Sequence, residues 1–376
     1  MGWKQQLWPE WQIEQSIGSG AYGTVYKIKR QDIGGTYYAA LKVISFPHEK
    51  KEVETFRDRC MTDAQISAYY HGMVLEIAQE VTMMERLKGN TNIVSYEDHK
   101  IVPHKHDLGW DIMIRMELLT SLPEYVRHHR IDEKEACKLG IDICSALIIC
   151  EREKIIHRDI KPGNVFVSDF GDYKLGDFSL AKHTCMHSDA SGPQGTYAYM
   201  APEVYRNQAY DFTIDIYALG LILYRLLNRG RGPFQPLPPA VVTTDISEKA
   251  NQQRLSVEVL PKPADASAPM AQIILKACAH DPERRYKSAE EMQKVLIRCN
   301  ASQSAIHATK QISDCLKKAA TVLQDSCVTL IGAGDATDSE TDRDMDRKEH
   351  VRETVENSKT VEKKTMQDFF STAGDL

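Results

Sequence analysis

The sequence lacks an apolar run long enough to cross a membrane. A membrane-spanning helix needs about 20 predominantly apolar residues, whereas the longest candidate, Leu139–Cys150, contains Asp142 and is followed by Glu151. The first residues also lack the basic start and the apolar core of a signal peptide. Gly2 invites N-myristoylation, but Gln6 stands where that motif requires Ser or Thr. These absences predict a cytoplasmic protein without membrane insertion.

The sequence also has little that points to disulfides or to nucleic acid. Its nine cysteines are odd in number, scattered and without a C-x-x-C pair, which favours reduced thiols over a disulfide framework or a structural zinc site. The net charge is −6, and five of these six charges lie from Asp335 onward, where twelve acidic residues outnumber seven basic ones. The rest of the chain is nearly balanced, which predicts no basic surface for nucleic acid.

What the sequence does contain is a strand-rich first third followed by mostly helical patterns. The β-branched and aromatic content of Ile13–Ile17, Val25–Lys29 and Tyr37–Ile44 predicts three strands. A helical stretch is predicted next, from Glu49 to Leu87. Two further strands and two amphipathic helices are predicted at Ile93–Glu97, Ile112–Leu118, Lys134–Cys150 and Asp215–Leu227. The pattern indicates a small β-rich lobe ahead of a larger helical one.

The segment Gly18–Val25 (GSGAYGTV) fits the pattern G-x-G-x-x-G-x-V. Glycines let the backbone approach a polyphosphate closely, with N–H groups turned toward its oxygens. Dinucleotide-binding folds share this spacing, but there a helix must follow directly. Here Val25–Lys29 alternates like a strand, so a strand–loop–strand hairpin is favoured. A plain turn without a ligand is the alternative.

The most specific signal is His157–Asn164 (HRDIKPGN), which fits H-R-D-x-K-P-x-N in every defined position. The dipeptide Asp177-Phe178 begins eighteen residues after Asp159, and Gly195–Glu203 (GTYAYMAPE) follows. In this order the three motifs resemble the catalytic loop, the metal-binding segment and the end of the activation loop of eukaryotic-type (Hanks-type) Ser/Thr protein kinases. A chance match of all three in order is negligible.

The resemblance covers about Trp11 to Asn300 and implies an α+β, two-lobed protein-kinase fold. In that fold a small β-rich N-lobe with one regulatory helix precedes a large, mostly helical C-lobe. The sequence of Leu223–Leu227, ahead of Gly232–Phe234, resembles that of the bacterial branch of the family. The predicted divisions are an N-terminal extension at 1–10, an N-lobe at 11–119, a C-lobe at 120–300, an amphipathic helical extension at 301–331 and a charged tail, expected to be disordered, at 332–376.

The resemblance implies ATP and Mg²⁺ as cofactors and protein Ser or Thr hydroxyls as acceptors. Asp159 would accept the proton of the hydroxyl, Lys161 would steady the γ-phosphate, and Asn164 and Asp177 would hold two magnesium ions. Lys161 is typical of the Ser/Thr branch, and Thr196 matches the threonine that contacts the catalytic Asp and Lys there. The resemblance therefore implies Ser/Thr specificity.

The resemblance also implies that Lys42, in Ala39–Lys42 (AALK), pairs with the α- and β-phosphates. A lysine under apolar cover needs a carboxylate, and Glu80 on the apolar face of the predicted helix is the first choice, with Glu76 one turn earlier as the second. The alternatives are a surface lysine and a solvated glutamate. The interval between Lys42 and Glu80 is longer than in many kinases, which predicts an extra helix ahead of the regulatory one.

The adenine ring is expected between Val25 and Ala40 on one side and Phe166 on the other. Glu117 and Leu119 would offer backbone groups, and Met116 would guard the back of the pocket; plain core packing is the alternative. The full set of predicted ATP contacts is Ile17, Gly18, Ser19, Gly20, Ala21, Tyr22, Gly23, Val25, Ala40, Lys42, Glu80, Met116, Glu117, Leu119 and Phe166.

Regulation is expected to involve the activation loop. In the family an arginine in the position of Arg158 often pairs with a loop phosphate, and the alternative is a loop that needs none. Asp215 matches the aspartate that braces the catalytic loop, and Glu203 with Arg285 matches a structural ion pair. The candidate phosphorylation sites are Thr184, Ser188 and Ser191.

One departure from the family pattern is Ser179, where glycine usually follows the Asp-Phe pair. Serine disfavours the positive φ angles that glycine permits, so its expected effect is on loop conformation. A nucleotide-binding pseudokinase or scaffold is the alternative function, although every residue needed for transfer is present. The helix predicted near Ile312–Leu323 is a candidate for self-association, with a capping helix on the domain as the alternative.

Overall fold

The structure is a computed structural model that describes residues 3–20, 23–104, 107–178, 182–183, 196–256, 259–302 and 313–318. The chain divides into a first unit, Met1–Ala305, and a second unit, Ile306–Leu376. Of the second unit only 313–318 is described, and it is helical. No helix within the described ranges is both long enough and apolar enough to cross a membrane.

Five antiparallel strands form the sheet of the N-lobe, in the order β1-β2-β3-β5-β4. Residues Ala39–Ile44 of β3 are all buried, because both faces of this central strand are covered. The sheet confirms the three strands predicted first, although each is longer than predicted. The bounds are β1 (Trp11–Gly20), β2 (Gly23–Asp32), β3 (Gly35–Phe46), β4 (Tyr96–Pro103) and β5 (Trp110–Met116).

The fourth strand differs from the prediction of Ile93–Glu97. Strand β4 begins at Tyr96, and Ile93 makes only an isolated parallel bridge to Leu175. Ile93 is 3% exposed, so its apolar side chain reflects burial between the lobes and not membership of the sheet ladder.

Two helices follow β3, α1 (Lys50–Asp58) and α2 (Asp63–Leu87). The backbone turns at Cys60, whose φ is +62°, and Thr62 then caps α2. The Thr62 hydroxyl accepts the N–H of Gln65, and the Gln65 side chain accepts the N–H of Thr62. This reciprocal capping box explains why the predicted helical stretch is interrupted. The extra helix ahead of the regulatory helix is thereby confirmed.

The C-lobe is built around α6, which is buried without interruption from Thr213 to Tyr224. Helices α4 and α8 pack against it. Such all-round burial explains why the apolar pattern of α6 is nearly continuous and not a stripe. Residues 289–302 are also helical. The helices are α3 (Leu122–His128), α4 (Glu133–Arg152), α5 (Pro202–Tyr205), α6 (Thr213–Leu226), α7 (Thr244–Ser256) and α8 (Ala268–Ala277).

Short strands hold the loops of the C-lobe that face the N-lobe. They form a pair, β7 with β10, and a three-stranded sheet in the order β6-β8-β9. The segment His157–Asn164 lies between β7 and β8, so both of its ends are fixed by strands. The bounds are β6 (Thr120–Ser121), β7 (Ile155–Ile156), β8 (Val165–Val167), β9 (Tyr173–Leu175) and β10 (Lys182–His183). The two-lobed α+β fold that the resemblance implies is confirmed.

Candidate active site

Asp159 lies at the centre of a hydrogen-bonded group in the loop between β7 and β8. Its Oδ2 accepts from Lys161 Nζ at 2.6 Å and from Asn164 Nδ2 at 2.9 Å. The same Asn164 nitrogen also donates to the Asp159 carbonyl at 2.8 Å. Asp159 is 2% exposed, so these donors hold a carboxylate that is buried. The structure therefore brings together the three residues predicted to be catalytic.

The loop is supported from below by a buried carboxylate on α6. Asp215 accepts the backbone N–H of His157 at 2.8 Å and that of Arg158 at 2.9 Å. Burial raises the pKa of Asp215, and these N–H groups oppose that rise. Arg158 adopts a positive φ of 69°, a conformation that non-glycine residues rarely adopt. The two hydrogen bonds to Asp215 stabilise this turn of the chain just ahead of Asp159.

Lys42 of β3 reaches two carboxylates. Its Nζ lies 2.9 Å from Asp177 Oδ1 and 3.9 Å from Glu80 Oε1, and its exposed fraction is 8%. Glu80 is buried on α2, whereas Glu76 is exposed, so the first-choice carboxylate is the one near Lys42. Burial raises the pKa of Glu80, the Lys42 ammonium lowers it, and Asp177 raises it further. The three residues link both lobes at the cleft.

The glycines at the β1–β2 turn have different surroundings. Gly23 has a φ of +113°, and a Cβ there would lie 2.2 Å from the carbonyl oxygen of Val43. A Cβ at Gly18 or Gly20 would meet no described atom within 4 Å. Packing therefore requires Gly23, whereas Gly18 and Gly20 leave open space, as the close approach of a polyphosphate would require. Ser19 lies between them in β1.

The predicted adenine contacts lie on several elements of the two lobes. Ala40 pairs with Met116 in the β3–β5 ladder, Phe166 lies on β8, and Leu119 precedes β6. Other predicted contacts flank the turn: Ile17, which is 45% exposed, and Val25, which pairs with Lys42. Ala21 and Tyr22 lie outside the described residues.

Glu117 is held in a way that sequence reasoning missed. The backbone N–H of Glu117 donates to the carbonyl of Ser95 at 3.0 Å, and the Glu117 carboxylate accepts from Lys174 Nζ at 2.8 Å. The carbonyl is then the Glu117 backbone group left to face a nucleotide. No local signal marks this pair, because Glu117 and Lys174 are 57 residues apart.

The chemistry of Asn164 and Asp177 fits a magnesium site. Mg²⁺ prefers oxygen ligands and is usually bound by one or two carboxylates together with substrate phosphates and water. Asn164 is 4% exposed, and its Nδ2 is engaged by Asp159, which leaves its Oδ1 as the group able to coordinate. Asp177, with a φ of +60°, supplies the carboxylate. The pair therefore fits the ion that the resemblance implies.

The end of the activation segment is anchored by two buried arginines. Arg285 donates to both oxygens of Glu203, at 2.6 and 2.7 Å, as predicted. Arg254 of α7 was not predicted; it donates to the carbonyls of Met200 and Tyr197 at 2.9 and 2.8 Å. Thr196 begins the 3-10 helix Thr196–Ala198. Four positions of the activation loop that were named from the sequence also lie outside the described residues: Ser179, Thr184, Ser188 and Ser191.

Comparison with known proteins agrees with this geometry. Relatives include a probable serine/threonine-protein kinase of Clostridium perfringens, 26% identical over 75% of this chain and 37% of its own length. The serine/threonine-protein kinase PknB of Mycobacterium leprae is 31% identical over 54% of this chain and 30% of its own length. The serine/threonine-protein kinase Nek10 of Homo sapiens is 30% identical over 57% of this chain and 17% of its own length. The chain thus spans well under half of each relative.

The family model described as the protein kinase domain matches residues 11–297. That range includes the β1–β2 turn, Lys42, Glu80 and the loop around Asp159, and it accounts for most of the chain. The chain belongs to the protein kinase domain family.

Proposed function

We propose that this protein is a Ser/Thr protein kinase that transfers the γ-phosphoryl group of ATP to hydroxyls of protein substrates. The observation that carries the proposal is the orientation of Asp159 by Lys161 and Asn164, at 2.6 and 2.9 Å. In this role Asp159 accepts the proton of the attacking hydroxyl and aligns its oxygen for in-line displacement. Lys161, already beside that carboxylate, steadies the charge that develops on the phosphoryl oxygens.

The nucleotide is proposed to bind between the lobes. Lys42 binds the α- and β-phosphates, and Glu80 holds the Lys42 ammonium in place. The absence of side chains at Gly18 and Gly20 lets the phosphates approach the backbone of β1. Asn164 and Asp177 would hold Mg²⁺, which, when bound, neutralises charge on the phosphate oxygens. The predicted adenine-contact residues then surround the adenine ring.

Residues outside the transfer centre also belong to the proposal. Arg158 lies with its guanidinium carbon 5.2 Å from the ring of Tyr210, and we propose that it binds a phosphate on the activation loop after autophosphorylation at Thr184, Ser188 or Ser191. The chain is proposed to divide into an N-terminal extension at 1–10, a kinase domain at 11–300, a helical extension at 301–331 and a charged tail at 332–376. Leu316, within the helical residues 313–318, is 57% exposed, which supports self-association through the extension at 301–331.

A nucleotide-binding scaffold is the competing function, and one experiment separates the two. The purified chain is incubated with ATP, Mg²⁺ and a generic protein substrate, and phosphorylated residues are mapped by mass spectrometry. Wild type is expected to place phosphate on Ser or Thr. Asp159→Asn is expected to lower the rate about 10²–10⁴-fold, the usual contribution of a general base, while still binding ATP.

The matched control is Asp169→Asn, because Asp169 is an exposed aspartate in the turn after β8. It is expected to transfer phosphate as wild type does. ATP binding by wild type without phosphate on any protein would favour the scaffold. Equal rates for wild type and Asp159→Asn would contradict the role assigned to Asp159.

A further inference from the structure

A cavity of about 900 Å³ opens in the C-lobe beside the catalytic loop. Pro162, directly after Lys161, forms part of its wall, and Tyr199 from the end of the activation segment forms another part. The rest of the wall comes mainly from α3, the α3–α4 connection and the C-terminal end of α6. It is apolar at residues such as Leu122, Ile131 and Leu226, and it also carries three carboxylates and three arginines. The cavity is therefore continuous with the loop that carries Asp159.

The acidic side chains on this wall already have partners. Both oxygens of Asp265 accept from Arg229, at 3.0 to 3.2 Å. The Glu133 oxygens accept from the backbone N–H and the hydroxyl of Ser267, at 2.6 and 2.5 Å. Asp132 caps the N-terminus of α4. Asp265 is thus paired with a cation, while Glu133 and Asp132 keep their charge and are held in place by N–H and hydroxyl donors.

Unlike these carboxylates, Arg225, near the C-terminus of α6, has a charged group without a hydrogen-bonded partner among the described residues. Its guanidinium carbon lies 5.1 Å from the centre of the Tyr199 ring, and no described carboxylate lies within salt-bridge distance of it. Its Nε is buried without a hydrogen-bond partner among the described atoms. A Cβ on Gly232 would lie 3.1 Å from Nη2, so glycine leaves the space that this side chain needs.

The position of Arg225 beside Tyr199 has a chemical consequence. At 5.1 Å from the ring centre the guanidinium is within the range of a cation–π contact. Its planar N–H groups can bind the two oxygens of a carboxylate together. Two further arginines line the cavity, but the hydrogen bond and charge of Arg229 and, more weakly, the charge of Arg130 lower the pKa of Asp265. Arg225 has no such carboxylate within salt-bridge distance among the described residues. The site therefore combines apolar surface with the cation of Arg225, which suits a side chain that has an aliphatic stem and an anionic end.

We propose that this cavity binds the substrate segment next to the phosphorylated Ser or Thr and that Arg225 selects an acidic side chain there. The inference rests on the proposed kinase function. Two features carry it: the wall shared with the catalytic loop at Pro162, and the cation of Arg225 without a carboxylate partner among the described residues. A basic side chain at the same place would meet a like charge, so the cavity also discriminates against basic substrates.

The test is a positional peptide library in which each position flanking a fixed Ser or Thr carries Glu, Gln or Lys, phosphorylated with ATP and Mg²⁺. At one flanking position at least, wild type is expected to prefer Glu over Lys by about tenfold in kcat/KM, mainly through KM, as loss of one charge-assisted hydrogen bond implies. Arg225→Gln is expected to abolish the preference, Arg225→Lys to keep part of it, and Arg225→Glu to reverse it.

Arg298→Gln is the matched control, since Arg298 is an exposed arginine on the helical residues 289–302, away from the cavity, and it is expected to keep the wild-type preference. Reversal by Arg225→Glu is a gain in kcat/KM for basic peptides, which misfolding cannot produce. If Arg225→Glu does not fold, the comparison of Arg225→Gln with Arg225→Lys tests the charge preference. Transfer without charge preference, or a preference that survives Arg225→Gln, overturns the role of the cavity. No transfer by wild type to any peptide would instead overturn the proposed kinase function.

Discussion

The ammonium nitrogen of Lys42 lies 2.9 Å from the Oδ1 atom of Asp177. The two residues are 135 positions apart, one on β3 of the N-lobe and the other just after β9 of the C-lobe. Lys42 is buried, and Glu80 is its second carboxylate neighbour at 3.9 Å. The ion pair therefore does two things: it joins the lobes at the cleft, and it holds a cation where the phosphates are proposed to bind.

Replacing Lys42 by Met tests both consequences. Phosphoryl transfer is expected to fall by about 10²–10³-fold, the usual cost of removing one preorganised group that stabilises developing charge. The melting temperature is expected to fall as well, because buried Glu80 loses its counter-charge. Initial rates at saturating ATP and a thermal melt measure the two effects. Lys294→Met, on an exposed lysine paired with Glu290, is the control, and equal rates for the two variants would contradict the role of Lys42.

Glu80 makes a pH-dependent contribution to stability. Burial raises the pKa of its carboxyl above the usual 4.5, so the folded protein keeps this proton to a higher pH than the unfolded chain does. The stability that neutral Glu80 contributes is fully present below pH 4.5 and is lost as the pH rises through the raised pKa. Wild type is therefore expected to lose free energy of unfolding relative to Glu80→Gln across that window.

The measurement is urea unfolding of wild type and Glu80→Gln between about pH 4 and pH 8, where carboxyl groups in proteins titrate. Glu76→Gln, on the exposed face of the same helix, is the comparison. If the free energy of unfolding of wild type stays level relative to that of Glu80→Gln over the whole range, or rises relative to it with pH, burial does not dominate at Glu80.

The sequence predicted much of this centre because its residues lie in local patterns. Lys42 could be named in advance because Ala39–Lys42 resembles a strand of the kinase family, and Glu80 because it falls on the apolar face of the predicted helix. The extra helix followed from the long interval between Lys42 and Glu80, and the break before α2 also has a local sign, a Thr and a Gln three residues apart at Thr62 and Gln65. In these cases the physical cause acts over a few residues, so it leaves a readable pattern.

Other features depend on contacts between distant segments and leave no such pattern. Arg254 lies on α7, whose composition is mostly polar, yet it is 1% exposed and donates to two backbone carbonyls of the activation segment. Backbone acceptors carry no side-chain signature that sequence reasoning could match to an arginine. The strand predicted at Ile93 failed for a related reason, because an apolar residue buried between lobes resembles one buried in a sheet.

The buried ion pair of Glu203 and Arg285 makes a further prediction about stability. Removing one partner of such a pair costs about 3–5 kcal/mol, since it leaves an uncompensated charge. Arg285 also donates to the carbonyls of Ala279, Thr213 and His280. Arg285→Met is therefore expected to lower the free energy of unfolding more than Glu203→Gln does.

A double-mutant cycle with urea unfolding measures this pair. The double variant Glu203→Gln/Arg285→Met is expected to be less destabilised than the sum of the single variants, because the charge left by each is removed by the other. Additive losses would mean that the two side chains stabilise the fold independently. A larger loss for Glu203→Gln than for Arg285→Met would contradict the additional role of the three carbonyls.

The last prediction separates the glycine that the fold needs from one that a ligand needs. Gly20 and Gly23 face each other across the β1–β2 turn. At Gly23 an added Cβ would lie 2.2 Å from a backbone oxygen, and φ is +113°. Gly23→Ala is therefore expected to lower the free energy of unfolding by at least about 1–3 kcal/mol, the cost of a strained backbone position. Urea unfolding without nucleotide measures this loss.

Gly20→Ala is the matched variant, with the same chemical change three residues earlier. An added Cβ at Gly20 meets no described atom within 4 Å, so its free energy of unfolding is expected to stay within about 0.5 kcal/mol of wild type. The methyl group would nevertheless occupy the space through which the phosphates approach, so the affinity for ATP with Mg²⁺ is expected to fall. Titration with nucleotide measures it. Wild-type affinity in Gly20→Ala would mean that the phosphates do not approach the backbone there, and unchanged stability in Gly23→Ala would mean that the turn can relax away from Val43.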